Sequence, residues 1–169
     1  DIFVAKADEM GLWSVGTLAL LCYHLCQRVG DMRQLTWANY AHSVFKSVQE
    51  KSRTVKNPPG KIMILPSNCE LDERLSVLPR RNRGNFIILN ERTERPYTKW
   101  AYKSVAEVRK ASGLPFELKI SDLRRTGATE LGEAGCTTDE IMSQTGHIDR
   151  DVVNVYVKQT PIMAVTASE

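Results

Sequence analysis

Ser121-Asp122-Leu123-Arg124-Arg125-Thr126-Gly127-Ala128-Thr129, followed by Thr145-Gly146-His147 and then by Tyr156, is the stretch that decides how this chain reads. Arg124 falls in the first turn of an expected helix that Ser121 would cap and Gly135 would end. His147 comes 23 residues later, after a helix opened by the capping-box pair Thr137 and Glu140. Tyr156 lies nine residues further on, in a final helix expected from about Arg150 to just before Pro161. Far upstream, Arg28 follows an apolar helix. Together these residues bring two guanidiniums, an imidazole and a phenol within reach of one phosphodiester.

The residue types fit that chemistry. Direct attack on a phosphodiester puts extra negative charge on a five-coordinate phosphorus, and fixed donors must meet it. Arginine presents a planar fork to two phosphate oxygens and keeps its proton. Backbone amides at the start of the Arg124 helix also favour a phosphate. His147 can donate to a third oxygen, and Tyr156 supplies a hydroxyl nucleophile. A phenol ordinarily ionises near pH ~10, so neighbouring cations must help it.

Working outward, Leu12, Val15, Leu18, Ala19, Cys22, Leu25 and Val29 recur at helical spacing, which predicts a buried helix over roughly 12–27. Asp31 to Leu35 starts another short helix. Val44–Val48 and Ile62–Leu65 read as strands around a basic turn containing Asn57-Pro58-Pro59-Gly60. Glu70–Leu78 reads as a helix stopped by Pro79, Phe86–Leu89 as an extended segment, and Thr98 as the start of a helix closed by Gly113 and Pro115. The fold class expected is mostly α with a small antiparallel β-sheet, an α+β chain forming a single domain over residues 1–169. The sequence opens at Asp1 without methionine and is read as a piece of a longer protein.

Several segments, in order and at matching spacing, resemble the catalytic domain of the tyrosine recombinases, the phage-integrase family. They are Cys26-Gln27-Arg28-Val29-Gly30-Asp31-Met32-Arg33-Gln34-Leu35-Thr36-Trp37, Asp122 through Thr129, Thr145-Gly146-His147 and the Val153-to-Tyr156 segment, within residues 12–158. The resemblance implies that Arg28 and Arg124 clamp the phosphate, that His147 fills the family's His-or-Trp position, and that Tyr156 forms a 3′-phosphotyrosyl link. Asp31 matches an acidic residue that supports the first arginine. A lysine in the turn of the family's small sheet protonates the leaving 5′ oxygen; Lys51 fits that place, 23 residues after Arg28, with Lys56 as the alternative. One position departs: three residues before the second arginine the family carries histidine or lysine, and here stands Ser121. Serine hydrogen-bonds phosphate but shuttles protons poorly near neutral pH.

The same resemblance implies site-specific cutting and rejoining of double-stranded DNA with no cofactor and no metal. It implies a homotetramer on two DNA sites, DNA-bending accessory proteins, and an N-terminal DNA-binding clamp domain outside this sequence. The tail over 159–169 would pack on this domain or on a neighbouring protomer. Two related readings stay beside it: a DNA-binding relative weakened by Ser121, and a type IB topoisomerase-like strand relaxer.

Charge and cysteine usage agree with a nucleic-acid partner inside a cell. The net charge of +3 conceals seventeen basic against eight acidic residues over 51–125, with acidic excess on both sides. A basic middle suits a polyanion, and Arg53, Arg80, Arg81, Arg83 and Arg125 are candidates for DNA-backbone contacts. Cys22, Cys26, Cys69 and Cys136 make no disulfide framework in a chain of this length, which points to a reducing, cytoplasmic setting. His24 and His42 read as structural or exposed, and Trp37 and Trp100 as core. No apolar run approaches the ~18 residues of a membrane span.

Overall fold

The computed structural model describes residues 1–52, 60–78, 85–97, 101–151 and 153. Its centre is helix α2 (Trp13–His24), preceded by α1 (Ile2–Glu9). Val15, Leu18, Leu21, Cys22 and the following Leu25 are fully buried, as an all-apolar helix requires. The helix ends three residues earlier than its periodicity suggests. Cys26 adopts φ 51°, a left-handed conformation that breaks the helical ladder, and Arg28 follows in the extended region. Arg28 then caps the short α3 (Val29–Met32). Helix α1 has no counterpart among the expected elements; it packs Ala7 and Phe3 against the same core.

The two expected strands form, and a third joins them, in an antiparallel sheet of order β1 (Tyr40–Ala41), β2 (Val44–Gln49), β3 (Lys61–Pro66); β1 is the strand not expected. His42 and Ser43, at φ 50° and 56°, make the tight two-residue turn between β1 and β2. Asp72 fixes that corner by accepting from Tyr40 Oη and Ser43 Oγ, each at 2.6 Å. In the β2–β3 register Gln49 faces Lys61 and Phe45 faces Leu65, so Phe45, Ser47, Gln49, Met63 and Leu65 lie on the buried face.

Helix α4 (Cys69–Val77) is capped by Asn68, whose side chain accepts from Leu71 N at 2.9 Å. Its Arg74 forks onto Asp8 with two 2.6 Å bonds and ties α4 to α1. The extended segment after it bridges Thr36 at Phe86 and Pro96 at Leu89. Helix α5 (Tyr102–Ala111) buries Ser104, Val105 and Val108; its expected start at Thr98 lies outside the described residues.

Helix α6 (Leu123–Glu133) carries Arg124. The N-cap is Asp122 rather than Ser121, because a 3₁₀ turn over Ile120–Asp122 already leads the chain helically into α6. Ser121 sits exposed in that turn, and the Asp122 carboxylate folds back to accept from Lys119 N at 3.1 Å. Gly127 lets α6 lie directly on α2: a Cβ there would fall 2.3 Å from Tyr23 O. Helix α7 (Thr138–Thr145) opens with the expected capping box, Glu140 accepting from Thr137 N at 2.7 Å. It ends at Gly146 in the left-handed conformation, φ 78°. Asp151 and Val153 are helical where a last helix is expected, and Val153 packs on Cys26, Ala128 and Ile141. The remainder of that helix, including Tyr156, lies outside the described residues.

Candidate active site

The C-terminal end of α7 is the hub. A helix end leaves its last carbonyls without helical partners, and the helix dipole makes that end negative. Here three successive carbonyls, from Gln144 to Gly146, receive side chains from other elements. Gln144 O accepts from Gln27 Nε2 at 2.6 Å, and Thr145 O accepts from Gln49 Nε2 at 2.8 Å and from Arg124 Nη2 at 2.9 Å. Gly146 O accepts from Lys61 Nζ at 3.2 Å. Two of the four donors are cations, which the dipole favours.

Arg124 is 6% exposed, and its Nη2 also stands 3.0 Å from His147 Nε2. Arginine has no lone pair to offer, so that histidine nitrogen must accept. The other ring nitrogen, Nδ1, lies 2.8 Å from Thr145 Oγ1, whose own hydrogen goes to Ile141 O at 2.8 Å. The hydroxyl oxygen is therefore the acceptor and Nδ1 carries the proton. His147 is neutral in the Nδ1–H tautomer. Its pKa is pushed down to about 4, first by burial and then by the charges of Arg124, Arg28 and Lys61.

Arg28 approaches from the α2–α3 junction. Its Nη1 is 4.0 Å from Asp31 Oδ2, within ion-pair reach but too long for a hydrogen bond, and neither atom has a hydrogen-bond partner among the described residues. Asp31 Oδ1 accepts from Glu50 N at 3.1 Å, so one carboxylate ties the Arg28 junction to the 3₁₀ turn Glu50–Ser52 that holds Lys51. Burial raises the Asp31 pKa, against the lowering effects of that amide and of the Arg28 charge. Lys51 itself is exposed, as is Arg125 on the outer side of α6.

The structure thus brings Arg28, Asp31, Arg124 and His147 into one cluster and sets Lys51 on a turn tied to it. Ser121 stands on the turn before α6, three residues ahead of Arg124. Tyr156, Arg53, Lys56, Arg80, Arg81 and Arg83 lie outside the described residues. Three residues that sequence reading passes over are central: Gln27, Gln49 and Lys61. The signal for the last two is their register, since they face each other across β2 and β3. Elsewhere, His24 is held by Asn68 at 2.9 Å and Glu70 at 3.2 Å, a structural setting. An apolar cavity of about 460 Å³ between Leu20, Tyr23, Val105 and Leu123 includes none of the clustered cations and is not the candidate site.

A mainly helical domain with a small antiparallel sheet thus sets Arg28, Arg124 and His147 in one cluster at the end of α7. A family model described as the phage integrase family matches residues 5–161, and the chain belongs to that family, the tyrosine recombinases. Solved structures share the fold at low identity. The XerA recombinase is 14% identical with TM-score 0.75, over 98% of this chain and 58% of that one. The catalytic domain of bacteriophage HP1 integrase is 19% identical with TM-score 0.68, over 98% and 87%. A lambda integrase tetramer bound to a Holliday junction is 21% identical with TM-score 0.69, over 93% and 45%. This chain therefore spans about half the length of the XerA and lambda chains. A search of curated proteins returns no sequence match.

Proposed function

We propose that this chain is the catalytic domain of a site-specific DNA recombinase that cuts and rejoins strands through Tyr156. One observation carries the reading. Arg124 Nη2 stands 3.0 Å from His147 Nε2, while Arg28 Nη1 has no hydrogen-bond partner among the described residues. Arg28 Nη1 has the Asp31 carboxylate as an ion-pair neighbour at 4.0 Å but no hydrogen bond, so its N–H is left to donate to a phosphate oxygen. A phosphodiester between Arg28 and Arg124 meets both forks.

In this reading the Tyr156 hydroxyl gives its proton to the neutral His147 and its oxygen bonds phosphorus as the bond to the 5′ oxygen breaks; the protonated ring then donates to a non-bridging oxygen. Lys51, or Lys56 in the same turn, gives a proton to that leaving oxygen. One ester replaces another, so the bond energy is kept for rejoining by a 5′ hydroxyl of the partner duplex. Asp31 holds Arg28 and the Lys51 turn in register. With Ser121 at the usual histidine position, the proton-transfer burden falls on the lysine and His147. Arg53, Arg80, Arg81, Arg83 and Arg125 track the DNA backbone. The family and the DNA-bound lambda relatives support double-stranded DNA as partner and a tetramer on two sites as the active form. The length ratio supports an N-terminal clamp domain working beside this one.

A nicked suicide duplex resolved on a denaturing gel tests the proposal. The wild-type protein traps covalent DNA, Tyr156→Phe traps none, and Arg124→Ala loses cleavage while remaining folded. Adduct formation by the Phe variant sinks the assignment. Binding without adduct by the wild type, restored by Ser121→His, would instead identify a relative disabled at Ser121.

A further inference from the structure

Gln27 and Gln49 are 0% and 1% exposed, a costly place for primary amides unless every donor is used. Here the bonding is complete on the donor side. Gln27 Nε2 reaches Leu25 O at 3.0 Å and Gln144 O at 2.6 Å, and Gln49 Nε2 reaches Thr145 O and Gln27 Oε1, each at 2.8 Å. Every partner of each nitrogen is an oxygen that only accepts, so the orientation of both amides is fixed by chemistry.

Their places in the chain give the pair its meaning. Gln27 immediately precedes Arg28, and Gln49 ends β2 two residues before Lys51. The carbonyls they hold, Gln144 O and Thr145 O, immediately precede Gly146 and His147. Thr145 O is the same oxygen that receives Arg124. Gly146 seats against the Gln49 amide so closely that a Cβ would stand 2.4 Å from its Nε2.

We propose that Gln27 and Gln49 are positioning residues, a buried amide staple that locks the three loops bearing Arg28, Lys51 and His147 onto Arg124. The proposal rests on the recombinase reading and names what holds that site in register. An amide suits the task because it supplies donors to a negative helix end without adding a charge that competes for phosphate. Leucine at Gln27 takes the side-chain donor from Leu25 O and Gln144 O, and leucine at Gln49 takes it from Gln27 Oε1 and leaves Thr145 O to Arg124, so the α7 end shifts and carries His147 and the Arg124 fork with it.

Single-turnover cleavage of the suicide duplex, set beside equilibrium binding of the same duplex, tests the staple. In Gln49→Leu the cleavage rate constant falls by about 100-fold, the scale of a misplaced catalytic group. DNA affinity stays within about twofold, since neither amide touches DNA. The Gln27→Leu/Gln49→Leu double variant loses little more than either single, as members of one network do. A folded Gln49→Leu protein that cleaves at the wild-type rate, or that loses rate only in proportion to affinity, overturns the proposal. Should the leucine variants fail to fold, NMR of the unmodified protein decides. Both glutamine side-chain amides then exchange slowly with solvent, and fast exchange at both overturns it. A wild-type protein that forms no adduct rejects the recombinase reading, while the amide exchange still reports on the staple.

Discussion

His147 is held neutral by two neighbours that leave its ring only one arrangement: Arg124 donates to Nε2, and Thr145 Oγ1 accepts from Nδ1. Protonation of Nε2 in the free protein puts a second positive charge against Arg124, with Arg28 and Lys61 nearby. The consequence for stability follows from linkage. A histidine held at about 4 when folded, against an ordinary value of 6.5, binds fewer protons folded than unfolded between those limits. Stability contributed by the neutral ring is therefore fully present above pH ~6.5 and is lost as pH falls toward ~4. His147→Gln removes that component. Denaturant midpoints at pH 7.5 and pH 4.5 check it: the wild-type midpoint drops more on acidification than the variant's. Equal drops would show that His147 titrates normally. Asp31, with its pKa raised, acts in the opposite sense, so the comparison must be made between proteins and not along one curve.

Helices α2 and α6 meet through Gly127, one turn after Arg124, and their separation decides how deeply the guanidinium sits. A methyl group at Gly127 meets Tyr23 O at 2.3 Å and Cys26 Sγ at 2.9 Å, one of them rigid backbone. Gly127→Ala should cost about 1–3 kcal/mol by overpacking, which lowers Tm by roughly 2–12 °C for a chain of this size. Gly30→Ala, with nothing within 4 Å of its Cβ, is the control and leaves Tm nearly unchanged. A Gly127→Ala melt that matches the control refutes the close-contact account. What the sequence discloses at this scale depends on how local the cause is. The Thr137–Glu140 capping box and the apolar period of α2 are local, and both elements form, α2 with its C-terminal end three residues short. The left-handed Cys26 is set by the tertiary requirement to turn Arg28 toward α7, and no spacing announces it. Likewise Ser121 reads as a cap because serine caps well, but the preceding 3₁₀ turn removes that role. Gln27 and Gln49 are polar residues whose burial no local pattern signals; both are packed at the end of α7. The arginines and His147 were legible because their spacing carries a family pattern, whereas their supporting shell follows from packing.

The whole molecule separates its charge along the chain, and that separation is what a DNA partner would read. Residues 51–125 hold seventeen basic and eight acidic side chains, while 126–169 hold two basic and seven acidic. Long-range attraction to a duplex therefore belongs to the middle of the chain, and the acidic excess of the last part keeps the surface from being uniformly cationic. Counterion release makes this measurable. Each phosphate neutralised contributes about −0.9 to the slope of log Kobs against log salt for duplex DNA. In the proposed function Arg80, Arg81 and Arg83 are backbone contacts, so Arg80→Gln/Arg81→Gln/Arg83→Gln should flatten the slope by roughly one for each arginine that meets a phosphate. Glu130→Gln/Glu133→Gln removes two charges from α6 with no phosphate contact to lose, and the slope should hold. Titrating a labelled duplex from low to moderate salt with each protein separates local contact from net charge. If both sets shift affinity without changing the slope, the charge acts only as a diffuse field and the three arginines touch no phosphate. If the arginine set alone changes it, the basic segment is the surface on which the duplex lies while Arg28 and Arg124 take the reacting phosphate.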